Sequence, residues 1–372
     1  MPLPRILAMP SLDALRHAAQ RALRDGAATL SLGSLSGTPF TRQGLVALAP
    51  DDAQVEAVLD GGLTAEVWRL NAGGRRWALK RCRAASRVRN ADGELAFVNE
   101  LLRRAELEPL RAADPGCWAG LCPTQWADLQ AGLILSPWLE GATPQEWNER
   151  QLAQLFALGT RLWLEGFFEW DYSPGNLLDD GRQLMLFDFG YCYRFDPLRQ
   201  FNSAGDGRSA PQFHPVERFE TRGYFAHLLE LEHSQGLDAA LQAFALEKCV
   251  ARTAYEQLRD ELAERSAEPA LGEWLEALLR GWRLDEPAAL PRLYLQEAWR
   301  SHAADLDDDL RGRSCTPTTL RRADWLLQQL AVATPQLRLL GALAADEAAL
   351  DDAALLALYR QRRAEALRWQ LQ

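Results

Sequence analysis

Residues 55–84 constrain the fold most strongly, because three short segments with a two-residue period follow one another there. The segments VEAVL, AEVWRL and RRWALKRC alternate apolar and polar side chains, as half-buried strands do. Small-residue turns separate them at Asp60–Gly62 and at Asn71–Gly74, and the paired glycines of the second turn favour a tight hairpin. Residues 92–107, DGELAFVNELLRRAEL, then change to a helical period. Three strands followed by a helix predict a small antiparallel α+β unit.

Beyond one further strand, the rest of the chain has the pattern of a mainly helical protein. The other predicted elements are a helix over 11–25 capped by Ser11, short strands or loops over 28–50, a strand over 131–141, a helix over 143–167 capped by Thr143, a loop at 171–176, a short strand within 184–190, a polar loop over 193–216 and helices from about 217 onward. The acidic run DLDDDLRGR, residues 305–313, is interpreted as a solvated helix face rather than a metal site.

Composition narrows the functional classes. The 372 residues carry 41 Lys and Arg against 51 Asp and Glu, and a net charge of −10 argues against a dedicated nucleic-acid surface. No apolar run reaches signal-peptide length or the roughly 18 residues of a membrane span, so no transmembrane span is expected. The six cysteines are dispersed, and Cys117 and Cys122 lack a second pair at zinc spacing. A cytoplasmic protein is therefore expected.

Three features in the first half of the chain could line a phosphate-binding cleft. The turn that contains Gly61 and Gly62 would let backbone N–H groups approach phosphate oxygens, although such a hairpin is more often only a hairpin. Lys80 lies inside the apolar run WALK, where it needs a partner or a solvated end. Glu100 on the following helix could turn inward and pair with Lys80, with Glu94 as the alternative partner.

Two acidic segments in the second half add oxygen ligands and a base. Asp171 and Asn176 lie in DYSPGN, and Asp188 lies in FDFG, with a plausible hairpin between the two segments. This hairpin can bring the three side chains to one cleft. Carboxylate and amide oxygens suit Mg²⁺, and Asp171 would be free to accept a proton from an attacking hydroxyl. The alternative is two independent turns that contain Asp for its turn propensity.

Taken together and in this order, the motifs DGGLTAEV, WALK, DYSPGN and DFG resemble those of the protein-kinase-like superfamily. This superfamily includes Ser/Thr protein kinases, aminoglycoside and choline kinases, and bacterial lipopolysaccharide sugar kinases, and the chain looks like an atypical bacterial member. The resemblance covers roughly residues 55–235. It implies an α+β, two-lobed kinase-like fold, in which a small antiparallel sheet with one helix forms the N-lobe and a mainly helical C-lobe carries a helical extension.

The resemblance also implies roles for individual residues, with ATP and Mg²⁺ as the cofactors. Lys80 would hold the α- and β-phosphates and be oriented by Glu100, Asp171 would be the catalytic base, and Asn176 and Asp188 would bind Mg²⁺. The nucleotide would otherwise be held by Gly61, Gly62, Thr64 and Val67 near the glycine turn, by Ala78 beside Lys80, and by Ser136 and Trp138 in a hinge spanning 136–141.

Several positions depart from the family pattern. Glu169 and Trp170 stand where His-Arg or His-Gly is usual, so control through a phosphorylated activation loop is not expected. Ser173 replaces the lysine of protein Ser/Thr kinases, and Asp60 and Ala65 replace two of the loop glycines. The charged and metal-binding groups singled out above, which are Lys80, Glu100, Asp171, Asn176 and Asp188, are nevertheless present.

The sequence therefore predicts a phosphotransferase that moves the γ-phosphate of ATP to a hydroxyl. A protein Ser/Thr acceptor is slightly favoured, because residues 191–216 resemble a long substrate-docking segment. The alternatives are a small-molecule or lipopolysaccharide-core sugar kinase and a catalytically inactive module that binds nucleotide or a partner. The predicted divisions are an N-terminal extension over 1–50, an N-lobe over 51–140, a C-lobe core over 141–245 and helices over 246–372.

Overall fold

The computed structural model describes residues 11–371; residues 1–10, which begin the predicted extension 1–50, and residue 372 lie outside this range. The protein is α+β, with a small antiparallel sheet and a mostly helical body, an arrangement compatible with a kinase-like fold. Within the described range, no helix combines the length and the apolar character needed to cross a bilayer.

The helices are α1 (Leu12–Arg24), α2 (Arg42–Ala47), α3 (Ala91–Ala113), α4 (Glu149–Leu164), α5 (Pro215–Phe219), α6 (Phe225–Gln235), α7 (Leu237–Glu264), α8 (Pro269–Gly281), α9 (Ala289–Gly312), α10 (Pro317–Val332), α11 (Thr334–Leu339), α12 (Ala345–Ala348) and α13 (Asp352–Arg368). A 3-10 turn covers Pro174–Asn176, and a π-helix, Glu220–Tyr224, joins α5 to α6.

The strands of the larger sheet are β1 (Ser31–Gly33), β2 (Val55–Leu59), β3 (Ala65–Ala72), β4 (Arg75–Cys82), β5 (Trp126–Asp128) and β6 (Leu133–Pro137). In the described part of the chain they pair antiparallel in the order β1-β5-β6-β4-β3-β2. Gly73 and Gly74 close the β3–β4 hairpin with φ values of 63° and 73°, a conformation that disfavours other residues. The three strands predicted over 55–84 are therefore present.

Helix α3 covers one face of this sheet. Phe97 and Leu101 of α3 are buried against Ala127 and Ile134 of the central strands. Because side chains alternate along a strand, the partners Val67 and Lys80 of the β3–β4 ladder share one face and point toward the same side of the sheet. The helix predicted over 92–107 is thus confirmed, and it is longer than predicted at its C-terminal end.

The opposite face is covered by the segment between β1 and β2. Phe40 and Leu45 of this segment pack against Trp68, Trp77 and other apolar side chains of the strands. The prediction of short strands or loops over 28–50 was therefore incomplete, because residues 42–47 form α2, which begins after the N-cap Thr41. The predicted helix capped by Ser11 is confirmed as α1.

A second apolar core fills the helical body. It joins α4 to α10 and α13 and includes the buried residues Phe156, Phe219, Phe244, Trp299 and Tyr359. Helix α4 begins at Glu149 after the N-cap Asn148, and not at the predicted cap Thr143. Asn148 Oδ1 accepts a hydrogen bond from the backbone N–H of Gln151, and Gln151 Oε1 accepts one from the backbone N–H of Asn148. This reciprocal capping box fixes the start of the helix.

Two small two-stranded antiparallel sheets lie between α4 and α5. Strand β7 (Phe167–Glu169) pairs with β10 (Cys192–Arg194), and β8 (Leu177–Asp179) pairs with β9 (Leu184–Leu186). Segment 170–176 runs from β7 to β8, and segment 187–191 runs from β9 to β10. The backbone N–H of Trp170 donates to the carbonyl of Tyr191 between these two segments. The polar loop predicted over 193–216 therefore starts inside β10.

The acidic run at 305–313 is not the solvated face that the sequence suggested. Asp305 is buried on α9 and forms ion pairs with Arg222 and Arg322. Burial also raises the pKa of Asp308 on the same helix, although nearby arginines oppose the shift. Only part of this run faces solvent, because its partners come from distant parts of the chain.

Candidate functional site

Lys80 lies at the centre of the candidate site. Its Nζ donates to Glu100 Oε2 at 2.5 Å and to Asp188 Oδ2 at 2.7 Å. Glu100 is 1% exposed on α3, whereas the side chain of Asp188 is 28% exposed. The structure thus brings together Lys80, Glu100 and Asp188, and Glu100 rather than Glu94 is the partner of the lysine on α3.

Mutual attraction keeps this group charged. Burial alone would lower the pKa of Lys80, but the charges of Asp188 and Glu100 outweigh it, and the net shift is upward. Burial likewise would raise the pKa of Asp188, but the ammonium of Lys80 and the N–H of Gly190 lower it below its ordinary value. A charged lysine beside an ionised carboxylate is therefore the state at neutral pH.

Arg104 supports Glu100 from the far side. Its Nε donates to Glu100 Oε1 at 2.9 Å, and its two other nitrogens donate to Thr124 Oγ1 and to the carbonyl of Phe187. One arginine therefore joins α3 both to Thr124, shortly before β5, and to the segment that carries Asp188. Sequence reasoning missed this residue, since its position one helical turn after Glu100 was its only signal.

The loop with Asp171 joins the same site through Asn176. Asn176 Nδ2 donates to the carbonyl and to Oδ2 of Asp171, each at 3.0 Å. The backbone N–H of Phe187 donates to the carbonyl of Asn176 at 3.2 Å, one residue before Asp188. A continuous chain of contacts therefore connects Asp171 to Asp188, as the hairpin between the two segments predicted.

The side chain of Glu169 hydrogen-bonds to the backbone of the loop that carries Asp171. Its Oε1 accepts from the backbone N–H of Asp171 at 2.8 Å, and the side chain is buried. Burial raises the pKa of Glu169 well above its ordinary value, and the charges of Asp171 and Asp188 add to the shift. Glu169 thus positions the backbone of Asp171, and an acidic residue inside the apolar run GFFEW was the signal for it.

The glycine turn is fixed in place by two arginines. Asp60 forms ion pairs with Arg83 and Arg87, and Arg83 Nε also donates to the carbonyl of Gly62 at 3.0 Å. A Cβ on Gly62 would lie 2.3 Å from the carbonyl oxygen of Ala65, so this position requires glycine. At Gly61, a Cβ would meet no described atom within 4 Å.

The residues expected to hold the nucleotide base lie on or beside one face of the sheet. Ala78 pairs with Ser136 and lies two residues before Lys80, and Val67 pairs with Lys80. Trp138 follows β6, and its backbone N–H donates to the carbonyl of Arg76 at 3.1 Å. Thr64 lies just before β3 at the end of the glycine turn. The residues predicted to contact the nucleotide therefore lie on β3, β4 and β6 or in the segments directly beside these strands.

The side chains available for a metal ion are few. Among residues 11–371, no group of three or more His, Cys, Asp and Glu side chains is placed to hold a metal. Asp188 and Asn176 nevertheless supply hard oxygen atoms on adjoining segments. Mg²⁺ in nucleotide sites is commonly held by one or two protein oxygens, with phosphates and waters as its other ligands. The donor set fits such a shared site, and it does not fit a metal held by protein alone.

Comparisons with known proteins give little further information. No protein-family profile and no curated protein matches the chain. Among solved structures, one similar chain is titled "Structure of vaccinia related kinase 3", with 12% identity and a TM-score of 0.29. The match covers 42% of this chain and 56% of that one, so little more than half of the other chain's length is spanned. The function is therefore inferred from the geometry of the site.

Proposed function

We propose that the protein is an ATP- and Mg²⁺-dependent phosphotransferase with a hydroxyl group as acceptor. The observation that supports this most directly is the position of Lys80, which contacts Glu100 and Asp188 while Asp188 connects through Asn176 to Asp171. A lysine, a metal-binding carboxylate and a base at one cleft are the groups that phosphoryl transfer requires. In this proposal the sheet with α3 forms the smaller lobe and the helical body the larger one.

Each side chain has one task in the proposed reaction. Lys80 binds the α- and β-phosphates, and Glu100 keeps its ammonium in position. The acceptor oxygen forms a bond to the γ-phosphorus as the bond from that phosphorus to the β–γ bridging oxygen breaks, and ADP leaves with the electron pair. Asp171 takes the proton of the acceptor hydroxyl. Catalysis then depends on positioning and charge more than on covalent chemistry.

Mg²⁺ would be held by Asp188 and Asn176 and would offset the negative charge of the phosphates. Lys80 contacts Asp188 directly, so the lysine and the metal would share this carboxylate. Asn176 uses its amide nitrogen on Asp171, which leaves its amide oxygen for the metal. The two side chains thereby tie the metal position to the proposed base.

The acceptor would enter a groove that reaches from Asp171 to the C-terminal helices. This groove has a volume of about 1220 Å³ and is lined by Trp170, Tyr191, Arg222 and Asp308, among others. Pockets for single small molecules usually enclose about 300–1,000 Å³. The size favours an extended acceptor, either a protein segment with a Ser or Thr or a sugar chain, and we place the protein acceptor first.

Incubation with Mg²⁺ and γ-labelled ATP tests the proposal. Label in the protein itself or in a generic protein substrate supports the first acceptor class, and label in a lipopolysaccharide-core sugar supports the second. Asp171→Ala should abolish transfer while ATP affinity stays within about twofold, because this carboxylate acts on the acceptor. Asp188→Ala should also weaken Mg²⁺-dependent nucleotide binding. The matched control is Asp51→Ala, which removes an exposed carboxylate away from the site.

Two results would contradict the proposal in different ways. Near-normal transfer by Asp171→Ala would show that another group is the base. Nucleotide binding without any transfer would favour the alternative of a catalytically inactive binding module. Fractionation of cells would test the cytoplasmic location, which we retain as a proposal from the sequence.

A further inference from the structure

Arg222 reaches the proposed base from the π-helix. Its Nε donates to Asp171 Oδ1 at 3.4 Å, and its Nη1 donates to Asp305 Oδ1 at 2.6 Å. Nη2 has no hydrogen-bond partner among the described residues, and the side chain lines the groove that contains Asp171. Two nitrogens are therefore used by carboxylates, and the third is available to a ligand.

The backbone around Arg222 is positioned closely against the loop with Asp171. A Cβ on Gly223 would lie 2.8 Å from Cδ of Pro174, so the π-helix and the loop are in direct contact at a residue without a side chain. The neighbouring Glu220 pairs with the buried Lys248 at 2.5 Å. A π-helix places its side chains differently from an α-helix and often marks a functional position. This turn directs Arg222 toward Asp171.

The contacts of Arg222 also fix its charge and direction. Burial alone would lower its pKa, but Asp305 and Asp171 outweigh this effect, and the net shift is upward. The other oxygen of Asp305 contacts Arg322 at 3.1 Å, and this second ion pair helps to fix the position of the Asp305 side chain. Arg222 is therefore charged, and its ion pair with Asp305 fixes the position of its guanidinium group.

No second basic side chain lies beside Asp171 in the described part of the chain. Among residues 11–371, Arg222 is the only basic side chain within 4 Å of the Asp171 carboxylate. Ser173, two residues after Asp171, carries no charge. A phosphoryl group in transfer carries negative charge on its outer oxygens, and an arginine with a free nitrogen can bind such oxygens.

We propose that Arg222 contacts the transferring phosphoryl group through Nη2 while its Nε orients the carboxylate of Asp171. This inference rests on the proposed phosphotransferase function and adds a residue to it. Arg222 would thus act on the acceptor side of the γ-phosphate, opposite Lys80 on the nucleotide side. Helix α9 would support it through Asp305.

Substitution of Arg222 tests the inference. Arg222→Gln should lower kcat by about 10²-fold or more, as expected for loss of a donor to developing charge, while the KM for ATP stays within about twofold. Arg222→Lys should retain an intermediate kcat, because a lysine keeps the charge but cannot bridge two groups in a fixed geometry. The control is Arg259→Gln on α7. Arg259 forms an ion pair with Glu276 at 2.8 Å, and neither side chain lines the groove.

A binding measurement separates this inference from the proposed function. Aluminium fluoride should raise the affinity of the wild-type protein for Mg²⁺–ADP, because it mimics the phosphoryl group in transfer, and Arg222→Gln should lose at least tenfold of that gain. A loss of stability alone would not change the gain selectively. If the wild type gains affinity and Arg222→Gln gains equally, only the role of Arg222 is wrong. If the wild type binds no nucleotide, the proposed function is wrong and this inference falls with it.

Discussion

Replacement of Asn99 by alanine should loosen the segment that carries Asp188. Asn99 Nδ2 on α3 lies 3.2, 3.0 and 2.8 Å from the carbonyl oxygens of Phe189, Gly190 and Cys192. Its Oδ1 accepts from Gln20 Nε2 of α1 at 2.9 Å. One buried amide thus joins α1, α3 and the segment after Asp188, and Asn99→Ala removes all of these contacts.

The expected cost follows from the number of groups left without a partner. An amide has two hydrogens, so the three carbonyls share two full hydrogen bonds. The carbonyl of Phe189 keeps a second partner in the N–H of Cys192 at 3.2 Å, which leaves Gly190 and Cys192 as the main losses. Each buried group without a partner costs about 1–3 kcal/mol, and water entry lowers the sum. We expect about 2–4 kcal/mol for local opening of the segment.

Hydrogen exchange followed by mass spectrometry measures this quantity directly for residues 187–194, without assuming two-state unfolding of the whole chain. At 1.4 kcal/mol per tenfold, protection should fall by about 30- to 700-fold. The matched control is Gln20→Ala, which removes one hydrogen bond to the same amide. It should cost about 1 kcal/mol, or about fivefold in protection.

The pattern across the two variants decides the outcome. If Asn99→Ala leaves the exchange of residues 187–194 within threefold of the wild type, the amide does not hold this segment. If Gln20→Ala has as large an effect as Asn99→Ala, the stability comes from the docking of α1 and not from the three carbonyls.

Two further predictions follow from the geometry of the cleft. Gly62→Ala should weaken nucleotide binding several-fold, because its Cβ would lie 2.3 Å from the carbonyl oxygen of Ala65, whereas Gly61→Ala should bind as the wild type does; equal calorimetric affinities for both variants would contradict this. Lys80→Met should be less stable than the wild type at pH 7, and the difference should shrink as pH falls below about 4. The pKa of Asp188 is lowered in the folded state, so its ion pair with Lys80 stabilises the fold at pH values above the pKa of the unfolded state. This stabilisation is lost as pH falls through the folded-state pKa. A stability difference that is constant from pH 7 to pH 2 in urea titrations would refute this reasoning.

Local pattern predicted the elements of the sheet that carry the site. The strands over 55–84 and the helix with Glu100 followed from the period of their apolar residues, and the hairpin between Asp171 and Asp188 followed from the spacing of turn residues. These features depend on residues that are close in the chain. The contact between Lys80 and Glu100 was only one of the possibilities that the residues left open, beside a solvated lysine and a pairing with Glu94, and the resemblance to the kinase-like motifs implied it.

The errors came from competing local signals and from distant partners. Thr143 and Asn148 both have the chemistry of an N-cap, and the helix begins after Asn148, whose backbone N–H donates to Gln151 Oε1 in the capping box. The contacts of Arg222 have no local signal, because Asp171 and Asp305 lie 51 and 83 residues away from it. Burial of Asp305 was missed for the same reason, since an acidic run is solvated unless a remote cation reaches it.

Phe40 and Leu45 cover the face of the sheet opposite α3, and this cover limits where the chain can be shortened. A shortened chain that begins at residue 51 would lose this cover and would expose Trp68 and Trp77, which lie diagonally opposite each other on β3 and β4. A contiguous aromatic patch on a sheet promotes self-association and precipitation. Any shortened form of the chain that keeps the sheet should therefore begin upstream of residue 35, even though the first of the motifs begins only at Asp60.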